Sequence, residues 1–436
     1  MEAFSILVFL LTIFLVFKQP SIKIPRTSKY IHIDYGIAPL LGAFLLFVIS
    51  SFNSSIVING LLGTGSMKPY AILIIILSLS YICASLDYTG FFEYLAIKMM
   101  KVAGGSCFKL FALIFLLSSI LTLFTDNDVV ILTLTFLIIY LAKSAKIHPL
   151  PFLLAEFFAV NIVGVGIYIG NPTNIIGADA YGLSFIEYAK WMMLPAIAGG
   201  LTCFFILWAI FKSEILKKFA IVLPQPISAI KSKESAVFGT AVLFLTIFFM
   251  SLPYEITQAP LWMISLFFAL AMLIHDIMVY GPYFTDVGAR VPWKLGPFLF
   301  GFFIITEYLS FTGVPGILGS FLSGIQDPFA TVFVVMLVSS IAAGFMNNHP
   351  MSIFFVKAIY GTQSSKLAPT LGLIAGSSFG GNLMLTGSLA GLMWARILAE
   401  RGKPISFSEF SKYGVLVMLP VIAVASLVIA AELTFF

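Results

Sequence analysis

Polar side chains suited to binding an ion or a small solute gather in four short segments of this chain, each tied to an apolar stretch. Thr125-Asp126-Asn127-Asp128 interrupts residues 110–142, and Asn347-Asn348-His349-Pro350 interrupts 329–361. Gly170-Asn171-Pro172-Thr173-Asn174 breaks the crossing that starts at 151–169. Ser377-Ser378-Phe379-Gly380-Gly381-Asn382, running on to Thr386-Gly387-Ser388, breaks 368–395. Lipid offers no hydrogen bonds, so such a break must be buried in protein or line a wet cavity. Carbonyl, amide and hydroxyl oxygens there can hold a sodium ion, with Asn127, Asn174, Asn348 and Thr386 the candidate ligands, and the first N–H groups of a broken helix favour an anion.

An ionised Asp at a helix centre costs roughly 2.5 to 3.5 kcal/mol on insertion scales, so Asp126 and Asp128 mark a proton or cation site or cap the following helix. His349 before Pro350 is a titrating or substrate-contacting residue or a helix-starting cap. Asn127 and Asn348 are read as ligand contacts, with tip architecture as the alternative. Glu156 and Asn161 lie together on the 151–169 run, where Glu156 either snorkels or functions. Glu307 is read as an interfacial or packing residue, and Asp179 is a minor candidate. Glu187/Lys190 and Glu409/Lys412 read as local ion pairs.

The elements that position these residues have to be membrane helices. Of 436 residues 60% are hydrophobic and 10% charged, with a mean hydropathy of +1.07, which excludes a cytosolic enzyme, a nucleic-acid binder and a disordered chain. Cys83, Cys107 and Cys203 lie far apart and form neither a disulfide framework nor a thiolate metal site. No phosphate-cradling loop, HExxH or nucleophile elbow is present, so the chain is expected to be no enzyme and to need no cofactor beyond a coupling proton or sodium ion.

Ten runs, 3–17, 36–52, 71–86, 151–169, 184–211, 236–251, 261–279, 295–310, 368–395 and 406–434, are each expected to cross the bilayer. The two remaining stretches read as re-entrant hairpins, and residues 88–106 as an amphipathic interfacial segment. With both termini external, all Lys and Arg except Lys68, Lys190, Lys357 and Lys366 fall inside, as expected for a cell membrane protein. Residues 212–235 then form a basic cytoplasmic linker between 1–211 and 236–436. Tyr88-Thr89-Gly90 and Phe311-Thr312-Gly313 are 223 residues apart, Asn127 and Asn348 are 221 apart, and Ser184-Phe185-Ile186-Glu187 and Ser406-Phe407-Ser408-Glu409 are 222 apart. The expected fold is therefore an all-α polytopic membrane protein made of two repeats. Each has five transmembrane helices plus one re-entrant hairpin, with broken helices at the midplane, and the odd count inverts the second copy. Such a plan serves a secondary active transporter; a channel and an intramembrane enzyme are the rival classes.

Thr89-Gly90-Phe91-Phe92-Glu93, Leu110-Phe111-Ala112-Leu113 and the Asn127-Asp128 tip, together with Met346-Asn347-Asn348-His349-Pro350 and Thr386-Gly387-Ser388-Leu389-Ala390 through Trp394, resemble the ion-transporter superfamily. Within it they are most similar to the arsenical-resistance efflux permeases of ArsB type and to the divalent anion/sodium symporters. The resemblance implies a scaffold and a mobile transport domain, a homodimer and an elevator-like displacement. It implies export of arsenite or antimonite by proton exchange or with a separate cytoplasmic ATPase. Relatives import dicarboxylates, citrate or sulfate with sodium, or exchange sodium for protons, so a small inorganic or carboxylate anion is the alternative substrate. Where that pattern has carboxylates and a Lys, this chain has the uncharged Ile162, Ser378 and Asn382.

Overall fold

The computed structural model describes residues 2–23, 30–50, 53–63, 68–125, 127–218, 230–252, 254–325, 327–362 and 366–435. Asp126 and the core of the basic linker, 219–229, lie outside the described residues, as does the side chain of Asp128. A two-stranded antiparallel hairpin, β1 (Ser21–Lys23) and β2 (Tyr30–His32), is followed and preceded by helices. In the first half these are α1 (Glu2–Lys18), α2 (Ile37–Ile49), α3 (Ser54–Leu62), α4 (Pro69–Tyr88), α5 (Phe91–Ala103), α6 (Cys107–Phe124), α7 (Asn127–Ala145), α8 (Leu150–Val163), α9 (Pro172–Tyr181), α10 (Phe185–Ile210) and α11 (Lys212–Ile215). The second half has α12 (Lys233–Ser251), α13 (Tyr254–Thr257), α14 (Leu261–Tyr280), α15 (Phe284–Gly288), α16 (Leu295–Phe311), α17 (Val314–Ser323), α18 (Pro328–Met346), α19 (Asn348–Thr362), α20 (Leu367–Leu383), α21 (Leu389–Glu400) and α22 (Phe407–Phe435).

The order α4 to α10 recurs as α16 to α22. In both copies a long helix ends at a glycine with positive φ, Gly90 (φ 81°) or Gly313 (φ 81°), a conformation that a side chain disfavours. A short helix, a helical hairpin, a broken helix and a second long helix follow. Among the described residues seven helices are long and apolar enough to cross a membrane alone, one of them running on from α14 through α15. Five of the ten expected runs are among them, the other two helices being the hairpin arms α6 and α18. Of the rest, α1 and α2 are short, 151–169 ends with α8 and a 3-10 turn, 368–395 is divided between α20 and α21, and α16 passes only together with α17, across a 74° bend. The polar breaks cut the runs where the sequence places them.

Two groups of helices pack together. The hairpins α6–α7 and α18–α19 clasp the broken helices, with α6 on α8 and α18 on α20, and α10 and α22 close the group. The other group contains α1 to α4, α12, α14 and α16. Apolar side chains such as Phe14, Phe44, Phe244, Phe267 and Leu419 project outward from both, the surface that lipid requires. Helix α20 approaches α18 through Gly372, Gly376 and Gly380. A Cβ on Gly376 would lie 2.5 Å from the Met336 carbonyl oxygen and one on Gly380 2.6 Å from that of Ser340. Small residues at a four-residue spacing let backbones meet where lipid gives no hydrophobic drive to association.

The repeated Ser-Phe-x-Glu segments prove to be helix caps rather than ion pairs. Ser184 Oγ accepts the Glu187 N–H at 3.3 Å, while Glu187 Oε2 accepts the Ser184 N–H at 2.9 Å, a reciprocal capping box. Ser406 Oγ accepts the Glu409 N–H at 3.1 Å. Among the described residues no ion pair joins either Glu to the Lys three residues on. A side chain one turn from a helix start satisfies an orphan N–H more directly than it reaches an exposed ammonium.

Outside the spans, Asp34 anchors the start of α2. Partial burial pushes its carboxyl up, but the Lys294 ammonium at 2.7 Å and the N–H groups of Ile37 and Gly36 outweigh that and hold it below its ordinary value. A depressed carboxylate stabilises the fold above its unfolded pKa, near 3.9, and loses that contribution as the pH falls through the folded value. Asp34→Asn is therefore expected to cost roughly 0.5 to 1 kcal/mol at neutral pH, with the difference from wild type vanishing in acid. Thermal melts in detergent across pH 3 to 7 check this.

Candidate functional site

Each hairpin tip meets the broken helix of its own half. In the first, Thr122 Oγ1 donates to the Val160 carbonyl at 3.1 Å and Asn127 Nδ2 to Asn161 Oδ1 at 3.1 Å. In the second, Ser340 Oγ donates to the Gly376 carbonyl at 3.0 Å and Thr386 Oγ1 to that of Gly344 at 2.6 Å. The breaks are built alike, with a single 3-10 turn at Gly164–Gly166 or Leu385–Gly387 before the next helix. A glycine carbonyl crowds a second glycine in each: a Cβ on Gly170 would sit 2.2 Å from the Gly164 oxygen, and one on Gly387 2.2 Å from that of Gly380. Only glycine permits this approach.

The two broken helices also meet each other. Asn161 Nδ2 donates to Asn382 Oδ1 at 2.9 Å, Asn171 Nδ2 to Ser378 Oγ at 3.1 Å, and Ser377 Oγ to Thr173 Oγ1 at 2.9 Å. All six residues are buried. Candidates more than two hundred residues apart in the chain thus form one polar seam inside an apolar group of helices.

The direction of hydrogen bonding along the seam is set by backbone. Asn382 Nδ2 donates to the Phe158 carbonyl at 3.3 Å, which turns its Oδ1 towards Asn161. Asn161 must then present its NH2, which also donates to the Phe157 carbonyl at 3.2 Å, and its Oδ1 faces Asn127. Asn127 donates in turn, so its own Oδ1 is the free end of the relay and has no partner among the described residues. Asn174 is fixed in the same way, donating to the Gly164 and Ile167 carbonyls at 2.8 and 3.0 Å and leaving its Oδ1 without a partner among the described residues. Among the described residues Asn348 Oδ1 is a third buried amide oxygen without a donor. Buried polar atoms are nearly always paired, and leaving one unpaired costs about 1–3 kcal/mol.

The second tip is more self-contained. Asn347, with φ 70°, accepts the His349 N–H at 3.3 Å, and its Oδ1 lies 3.2 Å from the ring Nδ1. His349 Nε2 and Asn347 Nδ2 have no partner among the described residues, and the imidazole meets the Phe298 ring of α16 edge to face at 5.8 Å. Thr125 Oγ1 bonds within its own helix to the Leu121 carbonyl at 2.8 Å. Asn171 Oδ1 and Ser388 Oγ cap α9 and α21, each accepting an N–H at 3.0 Å, so these helix starts offer fewer free N–H groups to an anion than an uncapped break would.

Asn161, noted in the sequence only as a neighbour of Glu156, is the centre of the relay. Glu307 is ion-paired to Lys357 Nζ at 2.6 Å, joining α16 to α19, which agrees with a packing role. Asp179 Oδ2 accepts the Lys68 N–H at 3.0 Å. It lies with Tyr168, Glu187 and Trp262 around a cavity of about 620 Å³ beside the first break.

Helical hairpins clasping broken helices among lipid-facing spans, taken with the proteins this chain resembles, are those of a multi-pass membrane transporter and not of an enzyme. The chain belongs to the citrate transporter family CitMHS, whose model matches residues 5–372. It is 27% identical over 447 residues to an arsenical pump membrane protein of Escherichia coli, covering 98% of each chain. It is likewise 27% identical over 367 residues to an uncharacterized transporter of Mycobacterium tuberculosis, covering 82% of this chain and 84% of that one. The fold is similar to that of the Alcanivorax borkumensis YdaH transporter, with a TM-score of 0.60, 11% identity, and coverage of 100% of this chain and 97% of that one.

Proposed function

We propose that this transporter is a secondary active carrier exporting arsenite or antimonite across the cell membrane. The observation that carries the reading is the set of buried amide oxygens on Asn127, Asn174 and Asn348 that lack donors among the described residues. Arsenite at neutral pH is an undissociated trihydroxide, and its O–H groups supply what those oxygens lack. Citrate brings carboxylates, which accept but do not donate, and recognition of them calls for Arg or Lys. Among the described residues neither type occurs in the seam or at the tips. The similarity to arsenical pump membrane proteins of Escherichia coli supports the same substrate. Alternation of the two hairpin-bearing halves, the second inverted relative to the first, would open the seam to each side in turn.

Sodium-coupled carboxylate import is the second reading, favoured by the family description and by the suitability of free amide oxygens as sodium ligands. Everted membrane vesicles separate the two. Arsenite accumulation without citrate uptake is the expected result. Sodium-dependent citrate uptake without arsenite movement would overturn the proposal.

A further inference from the structure

A fully buried carboxylate lies outside the polar seam and has no part in it. Glu156 is on α8, five residues before Asn161, which at 1.5 Å per residue places it about 7.5 Å along the helix. Thr135 Oγ1 on α7 lies 3.0 and 3.1 Å from its two carboxyl oxygens. The fully buried Trp394 of α21 approaches the same carboxyl, but its indole N–H stops short of hydrogen-bond geometry and has no other acceptor among the described residues. Glu156 is thus held between the second arm of the first hairpin, the first piece of one broken helix and the second piece of the other. The Phe157, Trp394 and Phe410 rings pack beside it, with centroids 5.0 to 5.8 Å apart.

No counter-charge reaches it among the described residues. Of the titratable groups on the elements packed around α8, Lys109 on α6, Lys143 on α7, Glu187 and Lys190 on α10 and Arg396 on α21 are exposed. Among the described side chains the buried ones are Cys107, Tyr188 and Cys203, α20 carries none, and the side chains of Asp128, Tyr140 and Glu400 lie outside the described residues. The acid form needs no counter-charge in such a place, whereas the ionised form needs every donor within reach. The unused indole N–H is such a donor, idle beside one form and wanted by the other.

We infer that Glu156 is the proton-carrying site of this transporter, loaded and unloaded as the hairpin and the two broken helices shift around it. The step is a simple ionisation: the carboxyl O–H bond breaks, the electron pair stays on the carboxylate, and the proton passes to water on the side then open. Thr135 O–H and Trp394 N–H hold the anion until a proton from the other side restores the acid. The inference rests on the carrier reading above, and its first test does not depend on the substrate.

Infrared difference spectra of the purified full-length protein, recorded between acid and alkaline pH, should show one protonated-carboxyl band that Glu156→Gln removes and Thr135→Val shifts in midpoint. Persistence of the whole signal in Glu156→Gln would overturn the assignment even if arsenite is not the substrate. In proteoliposomes an imposed gradient of one pH unit should raise arsenite accumulation by up to about tenfold per proton exchanged. Any flux remaining in Glu156→Gln should not respond to that gradient, and a full response would overturn the inference. Where Glu156→Gln fails to fold, Thr135→Val decides: a moved pH midpoint of flux supports the site, and an unmoved one removes it. Wild-type protein that gives the carboxyl signal but moves no arsenite would contradict the substrate alone.

Discussion

Asn161→Ala is expected to abolish arsenite flux in proteoliposomes while reducing stability more than any other single amide truncation in the seam. The substitution removes the acceptor of Asn127 Nδ2 and the donor to Asn382 Oδ1 together, leaving two buried polar atoms unpaired. At about 1–3 kcal/mol for each, the loss is roughly 2–6 kcal/mol. The free oxygen of Asn127 also loses the orientation that the Phe157 and Phe158 carbonyls impose through the relay. Flux should fall by at least about a hundredfold, since each 1.4 kcal/mol of lost site free energy is tenfold. Asn382→Ala should be milder, because the Asn161 NH2 keeps the Phe157 carbonyl as an acceptor. Equal effects of the two substitutions on melting and flux would show that the relay does not set the orientation of the tip.

Gly376→Val should give the second large effect, on assembly rather than binding. A Cβ there would lie 2.0 Å from Ser339 Oγ and 2.5 Å from the Met336 carbonyl oxygen; the hydroxyl can rotate away, but the backbone cannot. Overpacking of this kind costs typically 1–3 kcal/mol, and here it also separates α18 from α20, drawing Ser340 away from the Gly376 carbonyl. Gly316→Ala on α17 provides the contrast. Nothing lies within 4 Å of its added carbon, so removing a helical glycine should stabilise by up to about 1 kcal/mol. Melting temperatures of both variants in the same detergent give the comparison, and a neutral Gly376→Val would refute the close helix contact.

Much of this organisation was readable from polar segments inside apolar runs. The tips at Asn127 and Asn348 and the breaks at Asn171 and Thr386 fall where hydropathy is interrupted, because a membrane helix cannot leave backbone groups unpaired. The repeat was legible in Gly90 and Gly313, whose shared positive φ explains why the same residue stands at both corners. What escaped was pairing across distance. Nothing in the spacing of Asn161 and Asn382 says that their amides meet, since that contact depends on how the two halves cross. The Gly372, Gly376 and Gly380 series did carry a signal, a four-residue repeat of small side chains, that points to the face α20 turns to a neighbour. Glu187 and Lys190 read as an ion pair because an i, i+3 acidic and basic pattern and the Ser184–Glu187 capping box occupy the same turn, and only geometry tells them apart.

The claim on which the rest depends is that the donorless amide oxygens at the hairpin tips and first break hold the transported trihydroxide. Ligand-dependent melting of the purified protein tests it without any assumption about coupling. Arsenite at a hundred times its dissociation constant should stabilise wild type by about 2.7 kcal/mol and leave Asn127→Ala, which keeps the backbone of the tip, unshifted. A full shift in Asn127→Ala, or citrate stabilising the wild type where arsenite does not, would contradict the account.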